Sequence, residues 1–365
     1  MQKISFNKFA DKKFDYILLG TTIFLALFGL LMIYDASSFI SFRDFGNKYH
    51  YIKDQALWMV FGFVGLFFFA HFDYKKLYNL ALPLLIVAIG LLLAVFLPHI
   101  GVSVLGAHRW LDFGIGVLQP AEFVKLTLSI YLAAWFSTRE KGRFLAFLLL
   151  VGLVLGLVML EPDMGTAIII MSEAFFLYFL SGGNLFYFVI VLPVLGLIGA
   201  ILAITSPYRA ARIATFLHPD NSLQGTSYHV RQILIALGSG GLTGVGLGNS
   251  LQKYAYLPEN TTDSIFAIIA EETGFIGALV LLCLFFLFIW RGITIAMYAK
   301  DTFGKLLAGG IVAFLGVQII INLGAQTVLV PLTGVPLPFI SYGGSSLVID
   351  LCSVGILLNI ARQSS

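Results

Sequence analysis

A succession of apolar runs, most of them long enough to cross a lipid bilayer as a helix, dominates the chain. A hydrocarbon core about 30 Å thick requires about 20 apolar residues per helix. The composition agrees, since 59% of the residues are hydrophobic and only 11% are charged, whereas a soluble domain carries about 25% charged residues. We therefore predict an all-α polytopic membrane protein.

The apolar runs predict about ten transmembrane helices. Between the seventh and the eighth lies a polar, glycine-rich segment, about 206–264, which we predict to be a large extracytoplasmic insert. We find no repeat and no low-complexity segment, and predict one membrane domain over residues 1–365. The predicted spans lie near 16–36, 54–72, 77–97, 120–137, 144–161, 165–181, 185–205, 265–290, 305–328 and 343–361.

The placement of basic residues predicts the orientation, because cytoplasmic segments carry an excess of Lys and Arg near the span ends. An even number of spans places both termini on one side, which the bias makes cytoplasmic. The insert and the loops 98–119 and 329–342 then face outward, where they could form one site. Inner segments hold Lys3, Lys8, Lys12, Lys13, Lys75, Lys76, Arg139, Lys141, Arg143, Arg291, Lys300, Lys305 and Arg362, and short outer loops hold Arg43, Lys48, Lys53 and Arg109.

The insert contains two arginines, Arg209 and Arg212, that are three residues apart. In a helical turn they project together, and two guanidinium groups on one face suit a phosphate or pyrophosphate. The alternative is an interfacial helix whose arginines touch lipid headgroups. A long polar insert in a compact fold is usually functional or disordered, and the apolar residues and turns of this one favour function.

The residues after this pair predict a short amphipathic helix at 228–237, followed by a glycine-rich run at 238–250. Such a run could expose backbone N–H groups as an anion nest, but it favours close packing of backbone. It matches neither the P-loop nor the dinucleotide fingerprint, which argues against an ATP-driven pump. The histidines and cysteines form no evident metal set.

Ionisable side chains inside the spans are functional candidates by default, because an unpaired charge in lipid is costly. Glu122 and Lys125, at i and i+3 on the fourth span, are predicted to form a salt bridge. The pair could line a cavity or simply lock two helices together. Glu173 has no sequence-local partner, and Asp350 is predicted to face a cavity or to be paired. Either Glu271 or Glu272 could reach the interface.

Asp263 lies where the insert meets the eighth span. Thr262, Asp263 or Ser264 would each be a good N-cap for a helix that starts at Ile265. A carboxylate at this depth could instead deprotonate a hydroxyl of a membrane-tethered substrate, as a glycosyl transfer with inversion requires. The residues themselves leave both interpretations open.

Several short motifs are spread in order from the first span to the last. They are G-A-H-R-W (106–110), Q-P-A-E-F-V-K-L (119–126), E-P-D-M-G-T-A (161–167), the arginine pair, S-Y-H-V-R-Q-I-L-I-A-L-G-S-G-G (227–241), G-V-G-L-G-N-S-L-Q-K (244–253), L-P-E-N-T-T-D (257–263) and P-L-P-F-I-S-Y-G-G-S-S (336–346). Together they are specific, and the chain resembles the SEDS family (shape, elongation, division and sporulation), which comprises FtsW, RodA and SpoVE. Residues 248–259 and 303–311 are more similar to the division members than to the elongation members.

The resemblance implies a peptidoglycan glycosyltransferase at the outer face of the bacterial cytoplasmic (inner) membrane. Such an enzyme polymerises lipid II, the undecaprenyl-pyrophosphate-linked disaccharide pentapeptide, for septal division or for elongation. The implied partners are lipid II, the growing glycan strand, a single-pass class B penicillin-binding protein that crosslinks the strands, and other divisome or elongasome proteins. No nucleic acid is expected.

The resemblance also assigns roles to residues. Asp263 matches the family's essential aspartate in P-E-x-x-T-D and is the predicted catalytic base, although Thr261 stands where the family commonly has histidine. A divalent cation, Mg or Mn, could assist the departing pyrophosphate, and the sequence shows no dedicated ligand set. The predicted substrate-binding residues are Arg109, Glu122, Lys125, Asp163, Arg209, Arg212 and Lys253.

Two rival functions remain open at this point. In a lipid II flippase, Glu173 and the Glu122–Lys125 pair would line a transport path. In a non-catalytic scaffold for the penicillin-binding protein, the polar cavity residues would be dispensable. The concentration of polar groups in the outward segments favours the enzyme.

Overall fold

The structure is a computed structural model. It describes residues 14–97, 100–104, 107–112, 114, 116–138, 144–184, 207–217, 226–254 and 256–364, together with isolated residues between 186 and 199.

Every predicted span but the seventh corresponds to a helix in these ranges, and the seventh, 185–205, lies largely outside the described residues. The predicted amphipathic helix of the insert is also present, as α8. The helices are α1 (Tyr16–Phe45), α2 (His50–His71), α3 (Lys76–Ala94), α4 (Pro120–Ser137), α5 (Phe144–Leu160), α6 (Met164–Leu180), α7 (Pro207–Leu217), α8 (Thr226–Ser239), α9 (Ile265–Tyr298), α10 (Thr302–Gln326) and α11 (Gly344–Ser364).

The helices form a multi-pass membrane protein. Among the described residues, six helices (α1, α2, α3, α9, α10 and α11) are long and apolar enough to span a membrane, and α5 and α6 are shorter apolar helices. The most apolar parts of α10 and α11 are 78% and 83% buried, whereas those of α2 and α3 are 22% and 28% buried. Helices α10 and α11 therefore form the interior, where polar side chains must find hydrogen-bond partners.

Small residues let α2 and α11 approach closely. A Cβ atom at Gly355 of α11 would collide with the backbone carbonyl of Leu66 on α2, and one at Gly62 would collide with the side chain of Leu351. In membranes, small residues at helix interfaces allow backbones to pack tightly. This packing fixes α11, whose first turn follows the segment 331–343 at one end of the bundle.

The loop 98–119 contains a small antiparallel sheet that the sequence did not predict. Its strands are β1 (Gly101–Val104), β2 (Ala107–Asp112) and β3 (Val117–Leu118), in the order β1-β2-β3. Leu111 of β2 is paired with Gly101 on one side and with Leu118 on the other. Strands this short hold too few residues for an alternating pattern to be read from sequence.

Helix α9 is interrupted at Gly274, where φ is 68° and ψ is −170°. The break leaves backbone N–H and carbonyl groups of α9 without partners inside the helix, and the glycine-rich run 238–250 forms hydrogen bonds with them. Hydrogen bonds run from Val245 and Gly246 to the carbonyls of Glu271 and Glu272 (3.0 Å each), and from Phe275 and Ile276 to the carbonyls of Gly241 and Leu242 (2.9 and 3.1 Å). A Cβ at Gly240 or Gly244 would collide with the α9 backbone. The interpretation of the run as closely packed backbone is confirmed.

Candidate active site at the start of helix α9

Asp263 is the second residue before α9, and its backbone is held from α10. The N-cap of α9 is Ser264, and no side-chain cap hydrogen bond is formed there. The carbonyl of Asp263 accepts a hydrogen bond from Nδ2 of Asn322 (3.1 Å). The structure therefore does not support the alternative interpretation of Asp263 as a helix cap.

The carboxylate of Asp263 faces Gly334, and so does the guanidinium group of Arg212. A Cβ atom built on Gly334 would lie 3.3 Å from Oδ2 of Asp263 and 3.8 Å from both terminal nitrogens of Arg212. Gly334 has a φ of 76°, a conformation that favours glycine. The fold thus joins the junction before α9, the insert helix α7 and the loop 331–337 in one site.

The surroundings of Asp263 raise its pKa to about 7. Burial is the main cause, because it disfavours the charged form, and Glu259 and Asp163 add like charge. Arg212 and Arg109 act in the opposite direction. A carboxylate with a pKa near neutrality suits a general base that must both accept and release a proton.

Arg109, on β2, ties the sheet to the turn between α5 and α6. Its Nε donates to the carbonyl of Glu161 (3.0 Å) and its Nη2 to the carbonyl of Pro162 (2.5 Å). In the same turn, Asp163 caps α6 by accepting from the backbone N–H and the hydroxyl of Thr166 (3.0 and 2.9 Å). Its Oδ2 also accepts from Nε2 of Gln119 (3.1 Å). Asp163 thus has a structural role as a cap, within the electrostatic reach of Asp263.

The arginine pair lies on α7, so the predicted helical turn is present. Nη1 of Arg212 donates to the carbonyl of Leu332 (2.8 Å), which orients the guanidinium group toward the loop 331–337. The side chain of Arg209 lies outside the described residues. Since Arg209 is one turn before Arg212, the helix places both on the same face.

The Glu122–Lys125 salt bridge is present at 2.7 Å, with both side chains buried in the bundle. Nζ of Lys125 also donates to Oε1 of Gln318 on α10 (2.5 Å). Glu173 lies against the hydroxyl of Ser129, a partner that the sequence did not indicate. These contacts make the pair part of the packed interior, and Gln318 connects it to the loop 331–337 through the carbonyl of Pro336.

Asp350 lies in the same interior, on α11, and is fully buried. Within the described part of the chain, neither oxygen of its carboxylate has a hydrogen-bond partner. The predicted pairing is therefore not seen as a hydrogen bond there.

Lys253 lies in a second buried cluster, which it forms with carboxylates of α1 and α9. Its Nζ contacts Oδ1 of Asp35 on α1 (2.8 Å) and Oε1 of Glu272 on α9 (3.0 Å). Burial lowers the pKa of Lys253, but its hydrogen bonds with the two carboxylates outweigh this and raise it. Ser250 binds both Glu271 and Glu272, so neither glutamate reaches the interface. Lys253 therefore anchors the end of the glycine-rich run.

Two further residues lie near the site although the sequence did not predict them to belong to it. Glu161 is fully buried, and both of its carboxylate oxygens lack a hydrogen-bond partner among the described residues. Burial and the nearby Asp163 raise its pKa to about 8, against the effect of Arg109. His229 contacts the hydroxyl of Ser264 through Nε2 (2.7 Å), and burial and Arg212 lower its pKa to about 4. Both lie inside motifs that the sequence displayed, which was the available signal.

No three His, Cys, Asp or Glu side chains within the described ranges converge closely enough to hold a metal ion. A divalent cation that assists the departing pyrophosphate stays a prediction.

Comparison with known proteins agrees with the motif order. Residues 16–365 match the model of the FtsW, RodA and SpoVE family, described as cell cycle protein. The chain belongs to this family. SEDS relatives include stage V sporulation protein E of Bacillus subtilis (strain 168), which is 38% identical over 96% of this chain and 97% of that protein. A probable peptidoglycan glycosyltransferase FtsW of Coxiella burnetii is 40% identical over 96% of each chain.

A solved SEDS-like structure has the same fold. It belongs to a peptidoglycan synthase complex described as coordinating polymerization and crosslinking. The two chains are 26% identical, the TM-score is 0.79, and the match covers 96% of this chain and 98% of that one. The polytopic helical fold predicted from the sequence is confirmed.

Proposed function

We propose that Asp263 is the general base of a glycosyl transfer that polymerises lipid II into glycan strands. The chain is a peptidoglycan glycosyltransferase, because relatives named as probable enzymes of this kind match it over nearly their whole length. The observation that carries the role of Asp263 is its carboxylate, which faces Gly334 beside Arg212 and has a pKa of about 7.

The proposed reaction is a single displacement. The hydroxyl oxygen of the acceptor sugar attacks the anomeric carbon of the donor, and its proton passes to the Asp263 carboxylate. The bond between the anomeric carbon and the undecaprenyl pyrophosphate breaks, and the leaving group keeps the electron pair. Attack opposite the leaving group inverts the configuration at the anomeric carbon. A base with a pKa near the working pH is effective in such a step.

Arginines hold the pyrophosphate in this proposal. Arg212 lies beside Asp263, Arg109 influences its charge from β2, and Arg209 lies one turn from Arg212. Guanidinium groups form forked hydrogen bonds with phosphate oxygens, and they would also stabilise the charge that develops on the leaving group.

The other predicted substrate-binding residues support the site from a distance. Asp163 holds the α5–α6 turn against Gln119, and Lys253 anchors the loop that precedes the Asp263 segment. Glu122 and Lys125 reach the loop 331–337 through Gln318. Direct contact of these four with lipid II stays a prediction.

Asp263→Asn tests the proposal, because asparagine caps helices about as well as aspartate but cannot accept the proton. We expect normal expression and an unfolding temperature at least as high as that of the wild type, with polymerisation of purified lipid II lost. Asp44→Asn, which alters an exposed carboxylate paired with Arg43, is the control and should keep full activity. A detergent-solubilised assay cannot report translocation, so the loss would also argue against a flippase. Unchanged polymerisation by Asp263→Asn would refute the assignment.

We also propose a class B penicillin-binding protein as partner and a cytoplasmic position for both termini. A peptidoglycan synthase complex of the same fold supports the first. For the second, Lys75, Lys76, Lys300 and Lys305 flank the helix ends opposite Asp263, as the positive-inside rule expects of a cytoplasmic face. Co-purification with the cognate penicillin-binding protein, and labelling of a cysteine placed at Ser364 from the inside only, would test the two statements.

A further inference from the structure

Helix α10 carries three side-chain amides on one face, which we call the amide ladder: Gln318, Asn322 and Gln326. They are four residues apart, so they lie one above another on the helix. They are 0%, 2% and 1% exposed, respectively. Buried amides are costly unless hydrogen-bonded, so their partners show what the ladder holds in place.

Asn322 holds the two segments that meet at the site. Its Nδ2 donates to the carbonyl of Asp263 (3.1 Å) and to the carbonyl of Val335 (2.7 Å). Val335 directly follows Gly334, the residue that the Asp263 carboxylate faces. One side-chain NH₂ group therefore connects the backbone of the base to the backbone of the loop opposite it.

Gln326 orients the amide of Asn322. Nε2 of Gln326 donates to Oδ1 of Asn322 (2.7 Å), and its Oε1 accepts from the backbone N–H of Ala267 in the first turn of α9 (2.8 Å). Because Oδ1 of Asn322 accepts, its NH₂ group must point at the two carbonyls.

Gln318 continues the connection toward the interior. Its Nε2 donates to the carbonyl of Pro336 (3.0 Å), while its Oε1 accepts from Lys125 (2.5 Å). Lysine has donors only, so the ion pair with Glu122 fixes the orientation of Gln318. The loop 335–336 is thus held at two successive carbonyls.

We propose that Asn322 is a positioning residue for the transfer reaction, which sets the separation between Asp263 and the loop bearing Gly334. The proposal rests on the proposed function of Asp263. Loss of the amide would free the carboxylate to move relative to Gly334 and Arg212. A displacement of about 1 Å at a reacting group can cost roughly 100-fold in rate.

Asn359 offers a matched control. It lies on α11, near the end of that helix that is farther from the loop 331–343. Asn359 also makes three hydrogen bonds: to the carbonyl of Ala70 (2.9 Å), from the backbone N–H of Tyr74 (3.0 Å) and from Gln363 four residues later (2.9 Å). It is fully buried. With a rise of about 1.5 Å per residue, Asn359 lies more than 20 Å along α11 from Gly344, the first residue of that helix, which directly follows the loop 331–343.

The experiment compares Asn322→Leu with Asn359→Leu in thermal unfolding and in the kinetics of lipid II polymerisation. We expect similar losses of stability, but a kcat at least tenfold lower only for Asn322→Leu, with KM within about twofold. The acidic limb of its pH–kcat profile should also move to lower pH, because a freed carboxylate is less desolvated. Equal kcat values and unmoved pH profiles for the two folded variants would overturn the proposal.

Asn322→Asp keeps the test decisive if the leucine variant does not fold. It preserves the shape and the bond from Gln326 but removes the NH₂ donors, so we expect the same fall in kcat, against normal kcat for Asn359→Asp. Asp263→Asn in the same assay separates the two ideas. If Asp263→Asn is inactive while Asn322→Asp has normal kinetics, only the positioning role fails. If Asp263→Asn is active, the proposed base itself is wrong.

Discussion

Replacing Gly334 with alanine would test whether catalysis depends on the space between Asp263 and the loop 331–337. The added Cβ would lie 3.3 Å from Oδ2 of Asp263, which is tighter than ordinary van der Waals contact, so the carboxylate must move by a few tenths of an ångström. If about 1 Å costs roughly 100-fold in rate, this movement corresponds to a loss of about four- to tenfold. The positive φ of 76° adds a backbone cost, about 1–2 kcal/mol for an L-residue.

Gly182→Ala separates these two effects. Gly182 has a φ of 79°, and a Cβ there would meet open space. Its substitution by alanine therefore carries the same backbone cost. Gly182 follows the C-terminus of α6, whereas Asp163 lies at the N-terminus of that helix. Both variants should unfold at similarly reduced temperatures, and only Gly334→Ala should polymerise purified lipid II more slowly. Equal rates for the two variants would refute the argument that Asp263 acts at this position.

Further predictions concern charge. Since the base must be unprotonated and the pKa of Asp263 is about 7, the rate should fall as the pH is lowered from about 8 to about 6, and a flat pH–rate profile would contradict the assignment. Because that pKa is raised in the folded state, ionisation costs stability as the pH rises, so Asp263→Asn should raise the unfolding temperature more at about pH 8 than at about pH 5. Lys253→Met would leave the carboxylates of Asp35 and Glu272 facing each other, which should destabilise the protein by about 3–5 kcal/mol in denaturant unfolding; a higher KM with unchanged stability would instead show a substrate contact. The pKa of Glu161 is raised on folding from 4.5 to about 8, so its ionisation costs stability across that pH range; Glu161→Gln should therefore exceed the wild type in unfolding temperature by more at about pH 8 than at about pH 5, and an equal loss at both would show that the carboxyl group itself is needed.

The transmembrane helices could be predicted from the sequence because a bilayer imposes a minimum length of apolar residues. This minimum length gives no information on how far a helix continues beyond the apolar run. The predicted first span ends at residue 36, whereas α1 reaches Phe45, where the left-handed Gly46 ends it. Similarly, α9 extends to Tyr298 rather than 290. The small sheet in the loop 98–119 depends on pairing between strands and left no periodic signal.

The candidate site could be predicted only in part. The spacing of Arg209 and Arg212 and the position of Asp263 at a span boundary were visible in the sequence. The approach of Asp263 and Arg212 to Gly334, about 70 and about 120 residues further along the chain, depends on tertiary contacts. The amides of α10 did leave a signal, since polar residues recur every four positions in an apolar span at Gln318, Asn322 and Gln326.

The break in α9 at Gly274 is closed by main-chain groups, so it makes little demand on the chemistry of neighbouring side chains. Leu242, Leu247 and Leu251 point outward and are 71%, 63% and 68% exposed. The outward-facing side chains of this segment could therefore change to suit a different lipid or neighbouring protein without disturbing the backbone hydrogen bonds that close the break. The length of the segment cannot vary in the same way. One residue inserted between Leu242 and Val245 would shift the hydrogen bonds on one side of the break relative to those on the other side.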